Sequence, residues 1–257
     1  MNLPDLSTAN PKRTNAARRQ IHNAAQWLAR MANSFIPATA NQDHLRLTWS
    51  PGRGALATQK FEGGLAVELR LAQLCLQFLD GGKPVPHILD LEDRSPATVE
   101  AWMLVELLHR SKDRDRFSKT LPYEIAAPMT GDTEKYTPED LAPELALLTN
   151  WAKGASDIIS PLAKDEQVWF WPEPSQFGFV TKSGAPASNG GSHVRLAFSL
   201  GDERTTEPYF LVVPEKHGTV QSLRPDVVLP ASRIHKDALA SEDIRKFLSA
   251  AVPGAKA

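Results

Sequence analysis

The sequence predicts an α+β protein in which antiparallel sheets are flanked by helices, arranged as two αββββα lobes in tandem. Three observations predict it. First, apolar and polar residues alternate over 44–49, 67–71, 74–78 and 193–200, the pattern of antiparallel strands with one packed and one polar face. Second, Ile21, Ala24, Ala25, Leu28, Met31, Ala32 and Phe35 recur at spacings of three, four and seven, which is the stripe of an amphipathic helix. Third, the order helix, four strands, helix runs once over 13–110 and again over 138–252. A glycine pair precedes an alternating strand in each half, Gly63-Gly64 before Val67 and Gly190-Gly191 before Val194.

Bulk properties exclude several classes. With 257 residues, 42% hydrophobic and 23% charged, the chain can bury a core without staples. Net charge is -1, from 29 basic and 30 acidic residues, so no global field would hold a polyanion, and nucleic acid is not expected as a partner. Cys75 is the only cysteine, which rules out an internal disulfide and a cysteine-rich zinc site. No apolar run is long enough for a bilayer, and residues 1–11 lack the apolar core of a signal peptide. A cytoplasmic, bacterial-style protein without membrane association is the expectation.

Taken in order, residues 1–12 are rich in Asn, Pro, Ser and Thr and read as a flexible N-terminus. A helix is predicted over 13–35, with Arg18, Arg19, Gln26 and Arg30 on a solvated face. Strands follow at 44–49, 55–61, 67–71 and 74–78, with turns at Pro51-Gly52-Arg53-Gly54, Glu62-Gly63-Gly64 and Asp80-Gly81-Gly82. Pro84 and Pro86 restrict a further strand over 85–91 to the sheet edge. Ser95-Pro96 is a helix start, and Val99, Trp102, Met103, Val105, Leu107 and Leu108 predict a helix buried around most of its circumference. Residues 121–137 form an irregular connector between a first lobe, 13–120, and a second, 138–257; a single domain is the alternative. Thr137-Pro138 predicts another helix start, with Pro143 and Gly154 arguing against a straight course. Pro161 ends it. Two aromatic strands around Trp169-Phe170-Trp171 and Phe177-Gly178-Phe179 come next, then strands at 193–200 and 209–213. A last helix starts at Ser241.

Motifs for chemistry are sparse. The glycines sit in turn contexts rather than between a strand and a helix, so neither a P-loop nor a dinucleotide fold is expected. The seven histidines, His22, His44, His87, His109, His193, His217 and His235, are scattered, none within helical or strand reach of another, and no metal site or cofactor is expected. Asp132, Glu134, Glu139 and Asp140 read as capping and solvation rather than acid–base catalysis. No nucleophile-elbow pattern occurs. The one constellation is cationic. His44 and Arg46 alternate outward on an early strand, and His193 and Arg195 on a later one. If the two faces meet they form a cleft suited to a carboxylate or phosphate. Trp169 or Trp171, with Phe177 and Phe179, would build a core wall, and His193 and Arg195 would project beside it.

An ordered set of blocks carries a resemblance. It comprises residues 48–58, Leu121-Pro122-Tyr123, Asp132-Thr133-Glu134-Lys135-Tyr136, Ser160-Pro161, Phe170-Trp171, residues 177–184, Ser192-His193, Pro214-Glu215 and Leu229-Pro230. In that order they resemble an uncharacterised bacterial domain-of-unknown-function family, for which the resemblance implies no activity. Where that family tends to carry histidines, this chain has Lys135, Val168 and Asn189; His193 remains. The resemblance therefore implies that any histidine chemistry of relatives is lost here.

The functional expectation is a non-catalytic ligand-binding or interaction module, with a small anionic ligand or a protein as partner and His44, Arg46, Trp169, Trp171, His193 and Arg195 as ligand-binding residues. The alternative is a hydrolase with an inter-lobe site around His193 and Arg195.

Overall fold

Asn10 starts the first helix. Its side chain accepts from the backbone of Lys12 and Arg13, and Pro11 at the first turn has no N–H to leave unpaired. Helix α1 (Pro11–Phe35) therefore begins inside the segment read as flexible. The computed structural model describes residues 3–162, 168–173, 177–183, 193–215, 228–234 and 240–250.

Five strands follow α1: β1 (Leu47–Ser50), β2 (Ala55–Thr58), β3 (Leu65–Arg70), β4 (Cys75–Asp80) and β5 (Lys83–Asp90). Helix α2 (Pro96–His109) is capped by Ser95, whose hydroxyl accepts from Thr98 N at 3.2 Å. Helix α3 (Ala142–Ile159) starts five residues after the expected Thr137, because Pro143 fits the first turn and would break a helix already under way. Then come β6 (Trp169–Trp171), β7 (Gly178–Ser183), β8 (His193–Ser199), β9 (Tyr209–Glu215), β10 (Val228–Pro230) and α4 (Ala240–Ala250). Among the described residues each half thus has five strands rather than the four of an αββββα lobe, the first half gaining the edge strand β5 and the second β10. No helix among the described residues is long and apolar enough to cross a membrane.

All ten strands form one antiparallel sheet in the order β10-β9-β8-β7-β6-β1-β2-β3-β4-β5. The two meanders run outward from a central β1–β6 pair, where Leu47 lies opposite Phe170. Successive registers place Thr58, Leu47, Phe170, Phe179, Phe198, Phe210 and Leu229 in one row across seven strands. Four phenylalanines of that row touch in sequence, edge-on, stacked and tilted in turn, with centroids 5.3, 6.1 and 5.1 Å apart. Phe177 meets Phe170 edge-on at 5.0 Å. The row is the floor of the core, and Trp151 of α3 lies parallel to Phe198 above it. Gly178 is required where β7 meets β8: a Cβ there would sit 1.8 Å from the Phe198 carbonyl oxygen.

The opposite face of the sheet differs between halves. Beneath β6–β10, Val180, Ala197, Tyr209 and Leu211 cluster with Trp171 and Val228. Beneath β2–β4 the face is polar but closed. The buried Glu68 carboxylate takes Arg53 at 2.5 Å and Arg70 at 3.4 Å, and Arg70 also donates to Gln77 Oε1 at 2.6 Å.

Helix α1 is buried on nearly all sides, including Arg18, His22, Asn23 and Gln26. Of the face expected to be solvated, Arg18 and Gln26 are internal, whereas Arg19 and Arg30 stay partly exposed. The connecting segment 117–141 runs along it as a strap, and the polar side chains of α1 satisfy the strap's backbone. Asn23 accepts from Met129 N at 2.8 Å and donates to Ala127 O. Gln20 pairs twice with Thr137, and Asn33 donates to Thr120 O. Tyr123 donates to Gln26 Oε1 at 2.8 Å, and Trp27 donates to Tyr136 Oη. Burial pushes the Tyr136 hydroxyl up to about 12.

Candidate functional site

The expected cationic cleft does not assemble as drawn. His44 lies in a 3₁₀ turn (Asp43–Leu45) ahead of β1, not on a strand, and is 4% exposed. Its Nδ1 accepts from Thr39 N, and its Nε2 lies 3.2 Å from Asn33 Oδ1. The alternation misled because Leu45 and Leu47 are both buried, although one belongs to the turn. Arg46 pairs with Asp43 at 2.5 Å and sits over the Trp171 ring at 5.1 Å. Trp169 and Trp171 are half-buried on the face opposite the core, while Phe170 is fully buried. The core wall is therefore Phe170, Phe177 and Phe179, without either tryptophan. In β8, Arg195 is paired with Lys182 and Val213, and His193 with Glu215; their side chains lie outside the described residues, as do His217 and His235. Strand β8 stands three strands from β1, roughly 14 Å at the usual interstrand spacing.

A cavity of about 510 Å³ opens elsewhere, between the N-terminal segment, the first turn of α1, the 201–208 loop and the end of β10. Its walls include Ser7, Thr14, Arg204, Thr205, Thr206, Glu207 and Ser232. The loop is built on Asp202. Its Oδ1 accepts from Arg204 N and Thr205 N, both at 2.7 Å, and its Oδ2 accepts from Tyr209 at 2.8 Å. Buried Arg18 of α1 clamps the loop through Glu203 at 2.9 Å. The Glu207 carboxylate is already engaged, accepting from Ser232 N and Oγ at 2.7 Å each. Helix α1 carries no acidic residue in its first turn, so the positive end of its dipole is not neutralised from within the helix beside this cavity.

Beside the Arg18 clamp lies His22. Its ring packs on Phe177 at 4.5 Å, and its Nε2 has no hydrogen-bond partner among the described residues. Burial, with Arg18 adding to it, pushes its pKa down to about 4, so it is neutral at pH 7.

A second cluster joins β5 to α2. His87 Nδ1 lies 3.1 Å from Glu106 Oε1, and His109 Nδ1 lies 3.7 Å from the same oxygen. The three residues offer ligand atoms all within 4.8 Å of one another. The sequence reading paired histidines only with histidines and missed this set. The available signal was Glu106 and His109, one helical turn apart on one face.

The chain matches no protein-family model, no curated protein and no solved structure.

Proposed function

We propose that this protein is a non-catalytic binding module for a small anionic metabolite, held in the cavity between the start of α1 and the 201–208 loop. The cavity itself carries the reading. Its volume of about 510 Å³ falls within the range of small-molecule sites, which is about 300–1,000 Å³. Arg204, the Thr205 and Thr206 hydroxyls and the positive end of the α1 dipole favour a carboxylate or phosphate. The wall is held in place before any ligand arrives, since Asp202 and Arg18 already hold the loop. The likeness to the uncharacterised bacterial family stands beside this as a proposal of kinship and adds no activity.

A thermal-shift screen of inorganic phosphate, sugar phosphates and small mono- and dicarboxylates tests it. At least one class should raise the melting temperature of the wild type, and Arg204→Ala should remove that rise while leaving the ligand-free melting temperature unchanged. A screen with no positive compound, or an undiminished shift in Arg204→Ala, would exclude this cavity as the site.

A further inference from the structure

We infer that His87, Glu106 and His109 form a site for a divalent transition-metal ion of the Zn²⁺ class, separate from the cavity above and independent of its ligand. The ligand set is two imidazoles and one carboxylate, a donor combination used for zinc. Imidazole nitrogen also suits copper and nickel, whereas Ca²⁺ and Mg²⁺ take oxygen.

The spacing fits. At bond lengths of 2.0–2.1 Å, adjacent ligand atoms of a tetrahedral zinc stand about 3.3 Å apart. His87 Nδ1 and His109 Nδ1 lie 3.1 and 3.7 Å from Glu106 Oε1, on either side of that value. The two rings converge on one oxygen from different elements, His87 from the edge strand β5 and His109 from the last turn of α2. An ion at their focus would replace the His87–Glu106 hydrogen bond and the longer His109–Glu106 contact by coordination. Both histidines are exposed while Glu106 is buried. The exposed rings can therefore turn to draw the widest of these separations, up to 4.8 Å, in toward tetrahedral spacing, and a water can complete the coordination.

Glu106 is held for this purpose by Arg110. The guanidinium donates to Glu106 Oε2 at 2.6 Å and to the Glu106 carbonyl at 2.8 Å, and it lies over the Phe78 ring at 4.5 Å. The far oxygen is thereby occupied and Oε1 turned to the imidazoles, the usual task of an outer-shell partner. The charge of Arg110 works against a cation, so the affinity should be moderate.

The test uses full-length, tag-free protein stripped with a chelator and titrated calorimetrically with Zn²⁺, with Co²⁺ as the optical probe. The wild type should bind one ion per chain at this site, and Co²⁺ should give the intense visible bands of a four-coordinate site. His87→Ala/His109→Ala should bind at least about tenfold more weakly and lose those bands, while keeping the melting temperature of the metal-free wild type, since both rings are exposed. Glu106→Gln, which retains a polar partner for Arg110, should weaken Zn²⁺ binding as well. Absence of saturable binding by the wild type, or a double variant weakened less than tenfold, would overturn the assignment.

Discussion

His22 shows what burial does to a single titratable group. In the unfolded chain it takes up a proton near pH 6.5; in the folded protein it does so only near pH 4. Between these values the unfolded state binds a proton that the folded state refuses, so stability is complete above about pH 6.5 and is lost as pH falls toward 4. A shift of this size corresponds to roughly 3 kcal/mol at the acid end. His44, also lowered by burial, adds in the same direction. Urea titrations between pH 7.5 and 4.5 should show a midpoint that falls with pH, and His22→Phe should flatten the slope. An unchanged slope in that variant would place the acid sensitivity elsewhere. At the same scale, Arg46 and His44 are adjacent in the chain's cationic pattern, yet one stacks on a tryptophan and the other is an internal hydrogen-bonding ring.

At the scale of elements, the phenylalanine row decides which aromatic residues carry stability. Phe170, Phe177 and Phe179 are each at most 1% exposed, and truncating such a side chain costs about 3–5 kcal/mol. Each Phe→Ala variant should therefore lower the urea midpoint sharply. Trp169→Ala, at a half-buried position on the other face, should cost clearly less despite its larger side chain. Equal losses for Trp169 and Phe170 would mean that the two faces of β6 are packed alike. Helix α2 corrects an expectation of near-complete burial. Val99, Met103 and Leu107 face the core, but Val105 and Leu108 are 47% and 56% exposed. Its hydrophobic residues spread around the axis, and only the side bearing Val99, Met103 and Leu107 is buried.

For the whole molecule, the continuous sheet and the strap join what the sequence divides. Strand β1 of the first half is hydrogen-bonded to β6 of the second. Helix α1 packs against β2 and β3 in one half and α3 in the other, and its Gln26 donates to Pro172 O at 2.8 Å. Calorimetry should accordingly show one unfolding transition whose van't Hoff and calorimetric enthalpies agree. Two resolved transitions would mean that the halves fold separately.

The sequence by itself determined the class of the protein and most of its elements. Period-two alternation and three-to-four spacing record which side of a strand or helix is buried, and caps such as Ser95-Pro96 act within a few residues, so both are local and legible. It also announced which side of the first sheet half is polar, where Glu68, Arg70 and Gln77 fall together, but the alternation implied a wet face, and Glu68 and Gln77 are buried. Only the tertiary structure decided which polar residues of α1 are internal, because Asn23 and Gln26 are satisfied by groups about a hundred residues away. It decided the phenylalanine row, since cross-strand neighbours depend on register and strand order rather than on spacing within a strand. It alone brought His87 to Glu106 and His109, for the turn at the end of β5 and the angle of α2 set that distance, and neither is written in the separation of the three residues along the chain.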